Sequence, residues 1–276
     1  MGHDANQPPV MIAAFEGWND AGNAATAVID LLIDVWEADE LDALDAQDYY
    51  DFQVNRPVME RDEEGVRRLL WPGTVLWSAT MPSGRQALLV RGLEPSFRWR
   101  DFVHELLETA RAAGVREILL LGALLADVPH TRALPALATS SSERVRRTLA
   151  LRESDYEGPA GIVGVLDTMA GEGGFEPVSV WVSVPHYIAD PPSPKASLTL
   201  LRELTGLLDE EVDIAELAEE AESWEAGVSE LAEENPDVAG YVAQLEKTRD
   251  TAESPEATGE ALAREFERYL RRRGRS

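Results

Sequence analysis

Cysteine is absent from the 276 residues of this sequence. Its absence excludes disulfide bonds, thiolate catalysis and zinc or iron–sulfur centres held by cysteine. Long apolar runs are also lacking, since stretches such as 118–125 are far shorter than the roughly 20 residues that span a bilayer. Residues 1–9 contain neither the basic segment nor the apolar core of an export signal. We therefore expect a cytoplasmic protein without a membrane partner.

Positive charge is scarce, because 25 Lys and Arg residues stand against 51 Asp and Glu residues, for a formal net charge of −26. Such an excess of carboxylates repels the phosphates of nucleic acids and anionic lipids. The composition therefore predicts no nucleic-acid partner. One basic run, 271–275, is interpreted as the end of a last helix, where cations interact favourably with the helix dipole.

The motifs of several enzyme classes are missing. The sequence has no Gly-x-Ser-x-Gly elbow and no Gly-Lys-Ser/Thr phosphate loop. His104 and Glu105 resemble the start of a zinc-protease helix, but Glu108 stands where that helix has its second histidine. The sequence therefore indicates no cofactor and no metal site, and it favours a protein without catalytic residues.

The N-terminal region carries the most informative pattern. Six apolar residues without alternation, Val10–Phe15, predict a strand that is buried on both faces. The glycine-bounded turn that follows leads into Ala24–Trp36, which is apolar at helical spacing. Ligands and partners of open α/β sheets meet the carboxyl ends of the strands. We therefore expect Glu16, Asn19 and Asp20 to lie at a functional edge.

Buried strands and amphipathic helices alternate along the rest of residues 1–208. Strands are predicted over 49–54, 75–80, 86–91, 117–122 and 178–184, with a turn at 82–84, and helices over 97–113, 158–170 and 195–208. Residues 139–142 are expected to cap a helix that Glu143 opens. This order predicts an α/β fold, a three-layer α/β/α sandwich with a mixed, largely parallel sheet.

The composition changes at Asp209, after which Glu and Ala dominate. Breaks at Asn235-Pro236 and before Pro255 predict three helices, which end near 234, 249 and 273. We thus divide the chain into a core domain, 1–208, and an acidic C-terminal all-helical appendage, 209–276. The apolar stripe of the appendage could cover the core domain itself, or it could form an oligomer or partner surface.

Two further loops follow predicted strands and carry polar side chains. In the first, Arg132 could bind a carboxylate or phosphate, and His130 could act as a general acid or base. The other interpretation is that Arg132 pairs with Asp127 or Asp20 and fixes the strand ends.

The second loop repeats the pattern, because His186, Tyr187 and Asp190 directly follow the 178–184 strand. These strand ends could line one pocket, or they could form a contact between subunits, for which exposed Trp18 and Tyr187 would be suited. The candidate residues of this pocket or interface are Glu16, Trp18, Asn19, Asp20, Asp127, His130, Arg132, His186, Tyr187 and Asp190.

Five segments in the same order resemble the actinobacterial branch of the proteasome assembly chaperone family: 15–22 (FEGWNDAG), 129–132 (PHTR), 158–162 (GPAGI), 184–187 (VPHY) and 191–196 (PPSPKA). The acidic C-terminal helices look like that branch as well, so the resemblance covers nearly the whole chain. It implies an α/β/α fold similar to that of purine nucleoside phosphorylases and related hydrolases, without an established catalytic site. It also implies binding to proteasome α-subunits.

The resemblance has a departure at the C-terminus. Docking members of the family end in a hydrophobic residue, a tyrosine and one further residue, whereas this sequence ends in Gly274-Arg275-Ser276. We therefore expect that insertion of such a tail does not operate here. A smaller departure is Ala133, which stands where the family pattern has proline.

Together these observations predict a non-enzymatic, homo-oligomeric, chaperone-like protein, with a trimer suggested by analogy and proteasome α-subunits as the expected partner. The alternative is a small-molecule binding protein or enzyme of the phosphorylase/hydrolase-like fold. In that case Asp20, His130, Arg132 and His186 would share a pocket at the carboxyl ends of the strands.

Overall fold

The computed structural model describes residues 7–62, 64–188 and 192–252. In these residues seven strands form one sheet, in the order β2-β5-β6-β1-β7-β9-β8. They are β1 (Val10–Glu16), β2 (Asp39–Ala43), β5 (Thr74–Thr80), β6 (Gln86–Leu93), β7 (Glu117–Ala126), β8 (Ala136–Thr139) and β9 (Glu176–Pro185). Two more strands, β3 (Val58–Arg61) and β4 (Arg67–Leu70), form a separate hairpin.

Helices lie on both faces of the sheet. They are α1 (Ala24–Val35), α2 (Ala46–Tyr49), α3 (Trp99–Ala112), α4 (Glu143–Leu149), α5 (Ile162–Glu172), α6 (Pro194–Leu208), α7 (Ala215–Glu233) and α8 (Pro236–Ala252). None of these helices is both long and apolar enough to cross a membrane, as far as the described residues show.

Strand β1 lies in the middle of the sheet and pairs in parallel with β6 and β7. Its residues 10–15 are completely buried. Because successive side chains of a strand point to opposite faces, Val10, Ile12 and Ala14 join one hydrophobic cluster, and the alternate residues join the other. The first cluster is closed by α1 and α6, and the second by α3 and α5.

The predicted α/β/α class is confirmed. Strands β6, β1, β7 and β9 are parallel, while β2, β5 and β8 join by antiparallel pairings, so the sheet is mixed. The predicted first strand, the hairpin of β5 and β6, and the helices that became α1, α3 and α6 are all present. The Ser142 side chain caps α4 as expected, because it accepts a hydrogen bond from the Val145 amide.

The predicted strand over 49–54 is wrong. Residues 46–49 form the short helix α2, whose first turn is capped by the carboxylate of Asp45. Tyr49 and Tyr50 are both buried, which a half-buried strand with alternating faces does not allow. Their hydroxyls donate hydrogen bonds to different groups. The Tyr49 hydroxyl donates to the Glu105 carboxylate, and the Tyr50 hydroxyl donates to the Leu93 carbonyl oxygen over 2.9 Å.

Two predicted boundaries differ from those observed by four residues, and several short elements were not predicted. Strand β7 continues four residues beyond the predicted end, to Ala126, and α5 begins at Ile162, so Pro159 precedes the helix. Strands β2, β3, β4 and β8 had no counterpart in the prediction.

The appendage begins with two helices close to the predicted bounds. Leu217 and Ala221 of α7 belong to the same hydrophobic cluster as α1 and α6, so α7 covers α6. Helix α8 packs in turn on α7. The third predicted helix, 255–273, lies outside the described residues, and the division of domains after Leu208 stays a prediction.

The Trp181 indole occupies space that is free because its neighbour in the β7–β9 pairing is Gly122. A Cβ at residue 122 would lie 2.5 Å from the indole ring. We predict that Gly122→Ala lowers the free energy of unfolding by about 1–3 kcal/mol, because an overpacked core must shift the ring. Urea denaturation measures this change.

Gly227→Ala is the matched control, because Gly227 lies exposed on α7 and a Cβ added there would have no atom within 4 Å. That substitution should leave stability unchanged or raise it by up to about 1 kcal/mol through helix propensity. Equal stability of the two variants would contradict the packing argument.

Candidate functional site

The turn after β1 contains four of the predicted site residues, and they have different surroundings. Glu16 forms an ion pair with Arg91 of β6, with 2.7 Å between the Glu16 Oε1 and Arg91 Nη1 atoms. Trp18 is exposed, whereas Asn19 and Asp20 are buried. The turn is joined to β7, because the Ala123 amide donates a hydrogen bond of 2.8 Å to the Asn19 carbonyl oxygen.

Asp20 caps helix α1. Its Oδ1 atom accepts a hydrogen bond of 2.7 Å from the Ala25 amide, and its Oδ2 atom accepts one from the Thr26 hydroxyl. Burial raises the pKa of Asp20, and the hydrogen bonds from Thr26 and Ala25 oppose that rise. These contacts give Asp20 a structural role at the first turn of α1, whose own N-cap residue, Asn23, makes no side-chain cap.

Asn19 connects the turn to helix α5 through Glu94. The Asn19 Nδ2 atom donates to Glu94 Oε1 over 2.8 Å, and the same carboxylate oxygen accepts a hydrogen bond of 2.8 Å from the Ile162 amide. A carboxylate at the first turn of a helix interacts favourably with the helix dipole. Glu94 was not predicted as a site residue, because no motif surrounds it and only the fold brings it to α5.

His130, the best candidate for acid–base chemistry, is almost fully buried and has partners on both ring nitrogens. The Tyr187 hydroxyl lies 2.7 Å from His130 Nδ1 and also accepts a hydrogen bond from the His130 amide. The Ser229 hydroxyl of α7 lies 3.1 Å from Nε2 and itself donates to the Glu225 carbonyl oxygen. Since Ser229 uses its proton there, Nε2 carries the hydrogen and Nδ1 accepts from Tyr187.

The pKa values agree with a neutral imidazole. Burial lowers the pKa of His130, and nearby Lys195 lowers it further, while the carboxylates of Glu225 and Glu246 act in the opposite direction. Burial also raises the pKa of Tyr187 to about 12, so its hydroxyl keeps its proton at neutral pH.

Lys195 links both sides of this region. Its ammonium group donates to the His130 carbonyl oxygen and to the Glu225 carboxylate of α7. The strand-end loop is thereby joined to α6 and α7. Sequence reasoning assigned no role to Lys195, although it stands at the start of α6, directly after the third strand-end loop.

Arg132 pairs with two carboxylates of helix α8, in keeping with the affinity of a guanidinium group for carboxylates. Its Nε and Nη2 atoms lie 2.8 and 3.0 Å from the two carboxylate oxygens of Asp250, and its Nη1 atom lies 3.2 Å from Glu246. The hydrogen bond from Arg132 lowers the pKa of Asp250. The sequence interpretation had chosen Asp127 or Asp20 as its partner, because it could not place α8 over this loop.

The second predicted loop packs against the same helix. His186 Nδ1 lies 3.3 Å from Asp127 Oδ1, which also accepts a hydrogen bond of 3.3 Å from the Tyr241 hydroxyl of α8. The rings of His186, Tyr187 and Tyr241 meet edge to face, with centroids 5.6–5.9 Å apart. Asp190 lies outside the described residues.

The structure thus divides the predicted site into two groups. His130, Arg132, His186, Tyr187 and Asp127 come together under α7 and α8, which cover these strand ends in the same chain. Asp20 and Asn19 contact α1 and Glu94 instead. We call the first group, together with Lys195, Glu225, Ser229, Tyr241, Glu246 and Asp250, the strand-end network. Its hydrogen bonds hold the loops to the appendage, and a pocket shared by Asp20 and the two histidines stays a prediction.

Comparison with known proteins identifies related chains. Residues 14–232 match the model of the PAC2 family. A solved PAC2 family protein from Streptomyces avermitilis is 48% identical, with a TM-score of 0.80 over 85% of this chain and 99% of that one. A proteasome-assembly chaperone homologue from Mycobacterium tuberculosis is 42% identical, with a TM-score of 0.77 over 84% of this chain and 99% of that one.

A further M. tuberculosis protein, described as of unknown function, is 27% identical, with a TM-score of 0.83 over 97% of this chain and 91% of that one. A search among curated protein sequences finds no significant match.

The neutral, buried state of His130 predicts a pH dependence of stability. Its folded pKa is lowered, so below the ordinary value of about 6.5 the unfolded chain binds a proton that the folded chain does not. The free energy of unfolding should therefore fall as the pH is lowered from 7.5 to 5.5. His130→Gln should show a smaller loss over that interval in urea titrations.

His104→Gln serves as the control, because His104 lies exposed on α3. This variant should keep the pH dependence of the parent protein. A parent-like dependence in His130→Gln would show that His130 is not held neutral by the fold.

Proposed function

The chain belongs to the PAC2 family, and we propose that it is a non-enzymatic, chaperone-like protein of the cytoplasm that assembles with copies of itself and binds proteasome α-subunits. The match to the family model and the 42% identity to a proteasome-assembly chaperone homologue support a chaperone-like role. The same identity is the basis for proposing a proteasome subunit as the partner.

The observation that carries the proposal is an apolar surface around the β3–β4 hairpin. Among the described residues, thirteen large apolar side chains are exposed, and eight of them fall in the sequence between residues 41 and 71. They are Leu41, Val54, Val58, Met59, Val66, Leu69, Leu70 and Trp71. Clusters of exposed apolar side chains mark interaction sites, whereas single exposed ones do not.

The two faces of the hairpin have different surroundings. Met59 lies opposite Leu69, and Val58 lies opposite Leu70, so each face carries one apolar pair. Val58 and Leu70 line a groove between the hairpin and the main sheet, which places Met59 and Leu69 on the outer face. All four side chains are 46–55% exposed, and the outer face also carries Arg61 and Arg67.

A second copy of the chain is the occupant we assign to this outer face. An isolated two-stranded hairpin is at best marginally stable in water, and this one packs no strand of its own chain against either edge in the described residues. Burial of Met59 and Leu69 by another subunit would supply the missing support. We propose that the assembly is a homotrimer.

The chemistry of the strand-end network supports a role without catalysis. Both nitrogens of the His130 ring are engaged, Arg132 is paired with carboxylates, and α7 and α8 lie over the loops. A general acid or base needs a free position near its substrate. The network is built to hold the appendage in place.

Self-association is tested on the outer face of the hairpin. Met59→Glu combined with Leu69→Glu should convert the trimer into a monomer of 30.3 kDa, because association would take two added carboxylates out of water and lose the apolar contact. Light scattering coupled to size exclusion gives the mass of each form.

Leu231→Glu is the control, because Leu231 is a single exposed leucine on α7. It adds the same kind of charge and should leave the trimer intact. A parent protein that is monomeric at micromolar concentration would refute self-association, and a different closed oligomer would refute the trimer.

Binding to the proteasome is tested separately, with purified α-subunits and β-subunits of an actinobacterial proteasome. Native mass spectrometry should detect a complex with the α-subunits and none with the β-subunits. If neither subunit binds, the proteasome partner is wrong, whatever the oligomeric state proves to be.

A further inference from the structure

A cavity of about 290 Å³ lies between β8, β9, the first turns of α5 and the loop that precedes α5. Its lining includes Trp18 and Asn19 but no other residue of the predicted site. This volume is near the lower limit for small-molecule pockets in proteins. The cavity is therefore separate from the strand-end network and large enough for a small organic group.

The charged side chains that line the cavity in the described residues are all carboxylates. Two carboxylates, Asp167 and Glu153, face the cavity, and no Lys, Arg or His residue lines it in the part of the chain described. Glu153 is paired with Arg146 over 3.3 Å. Asp167 has only the neutral Ser179 hydroxyl as a side-chain partner among the described residues, with 2.7 Å between Ser179 Oγ and Asp167 Oδ2. An anion would be repelled here, whereas a cation would be attracted.

The Asn19 amide lies behind the same wall. The Asn19 Nδ2 atom donates to the Glu94 carboxylate, which fixes the orientation of the amide. The Asn19 Oδ1 atom is buried and has no hydrogen-bond partner within residues 7–62, 64–188 and 192–252. It lies beside Gly161, where a Cβ would come within 2.1 Å of it. Because this oxygen has almost no accessible surface, a group in the cavity does not reach it, and Asn19 shapes the wall through its hydrogen bond to Glu94.

Aromatic side chains complete the lining. Trp181 extends over Gly122 on one side, while Trp18 and Tyr156 lie at other parts of the wall. Flat π surfaces combined with oxygen acceptors match a guanidinium group, which is planar, carries five N–H donors and stacks on aromatic rings.

We propose that this cavity binds a guanidinium group. Asp167 supplies the counter-charge, and Trp181 provides a stacking surface. The group could belong to a free small molecule or to an arginine side chain of a protein, and the experiment below separates these two sources.

Calorimetric titration with L-argininamide at low ionic strength tests the proposal. The parent protein should bind this compound, and Asp167→Asn should weaken binding at least tenfold, because it removes the charge and still accepts from Ser179. Glu172→Gln makes the same charge change at an exposed position of α5 outside the cavity and should bind like the parent.

Two further titrations test whether the guanidinium group is required and whether it belongs to a free molecule or to a protein. Citrullinamide, in which a neutral ureido group replaces the guanidinium, should bind at least tenfold more weakly than argininamide. A tripeptide with arginine between two glycines and blocked termini should bind as well as argininamide if the source is a protein, and not at all if the source is a free molecule. Absence of argininamide binding, equal binding of citrullinamide, or unchanged binding by Asp167→Asn would each overturn the proposal.

Discussion

Complete burial of β1 on both faces is the constraint on which the rest of this structure depends. A strand without a polar face needs helices above and below the sheet, and α1, α3, α5 and α6 supply these layers. The chain then leaves the sheet through a turn in which Asn19 and Asp20 are buried. Asp20 satisfies the first amides of α1, and Asn19 reaches α5 through Glu94. The turn after β1 is thus a structural joint between both helical layers.

A second consequence concerns the carboxyl ends of the strands, where α/β proteins commonly place their ligands. Here α7 and α8 cover the loops after β7 and β9, and His130, Arg132 and Lys195 are engaged with side chains of these helices. Among the described residues, the β3–β4 hairpin and the cavity beside α5 are two surfaces that α7 and α8 leave open. This distribution favours association through the hairpin, with the acidic cavity as a separate feature of the fold.

The sequence predicted the buried elements best, because continuous apolar runs and helical spacing report burial directly. It failed at Tyr49 and Tyr50, because tyrosine is common in strands, whereas here both side chains are buried and their hydroxyls bind distant groups. It singled out His130 and Arg132 and considered an acidic partner for Arg132, but it could not find Ser229 or Asp250. Those partners lie 99 and 118 residues away in the sequence. Glu94 and Asp167 were not predicted as site residues for the same reason, since only tertiary packing brings Glu94 to Asn19 and Asp167 to the cavity.

The central claim is that the apolar outer face of the β3–β4 hairpin is covered by another copy of the chain. Amide hydrogen exchange of residues 58–70, measured over a range of protein concentrations, tests it most directly. The account predicts slow exchange in concentrated protein and faster exchange on dilution, because loss of the neighbouring subunit leaves a marginally stable hairpin. Exchange at one rate across all concentrations, with a monomer mass throughout, would contradict it.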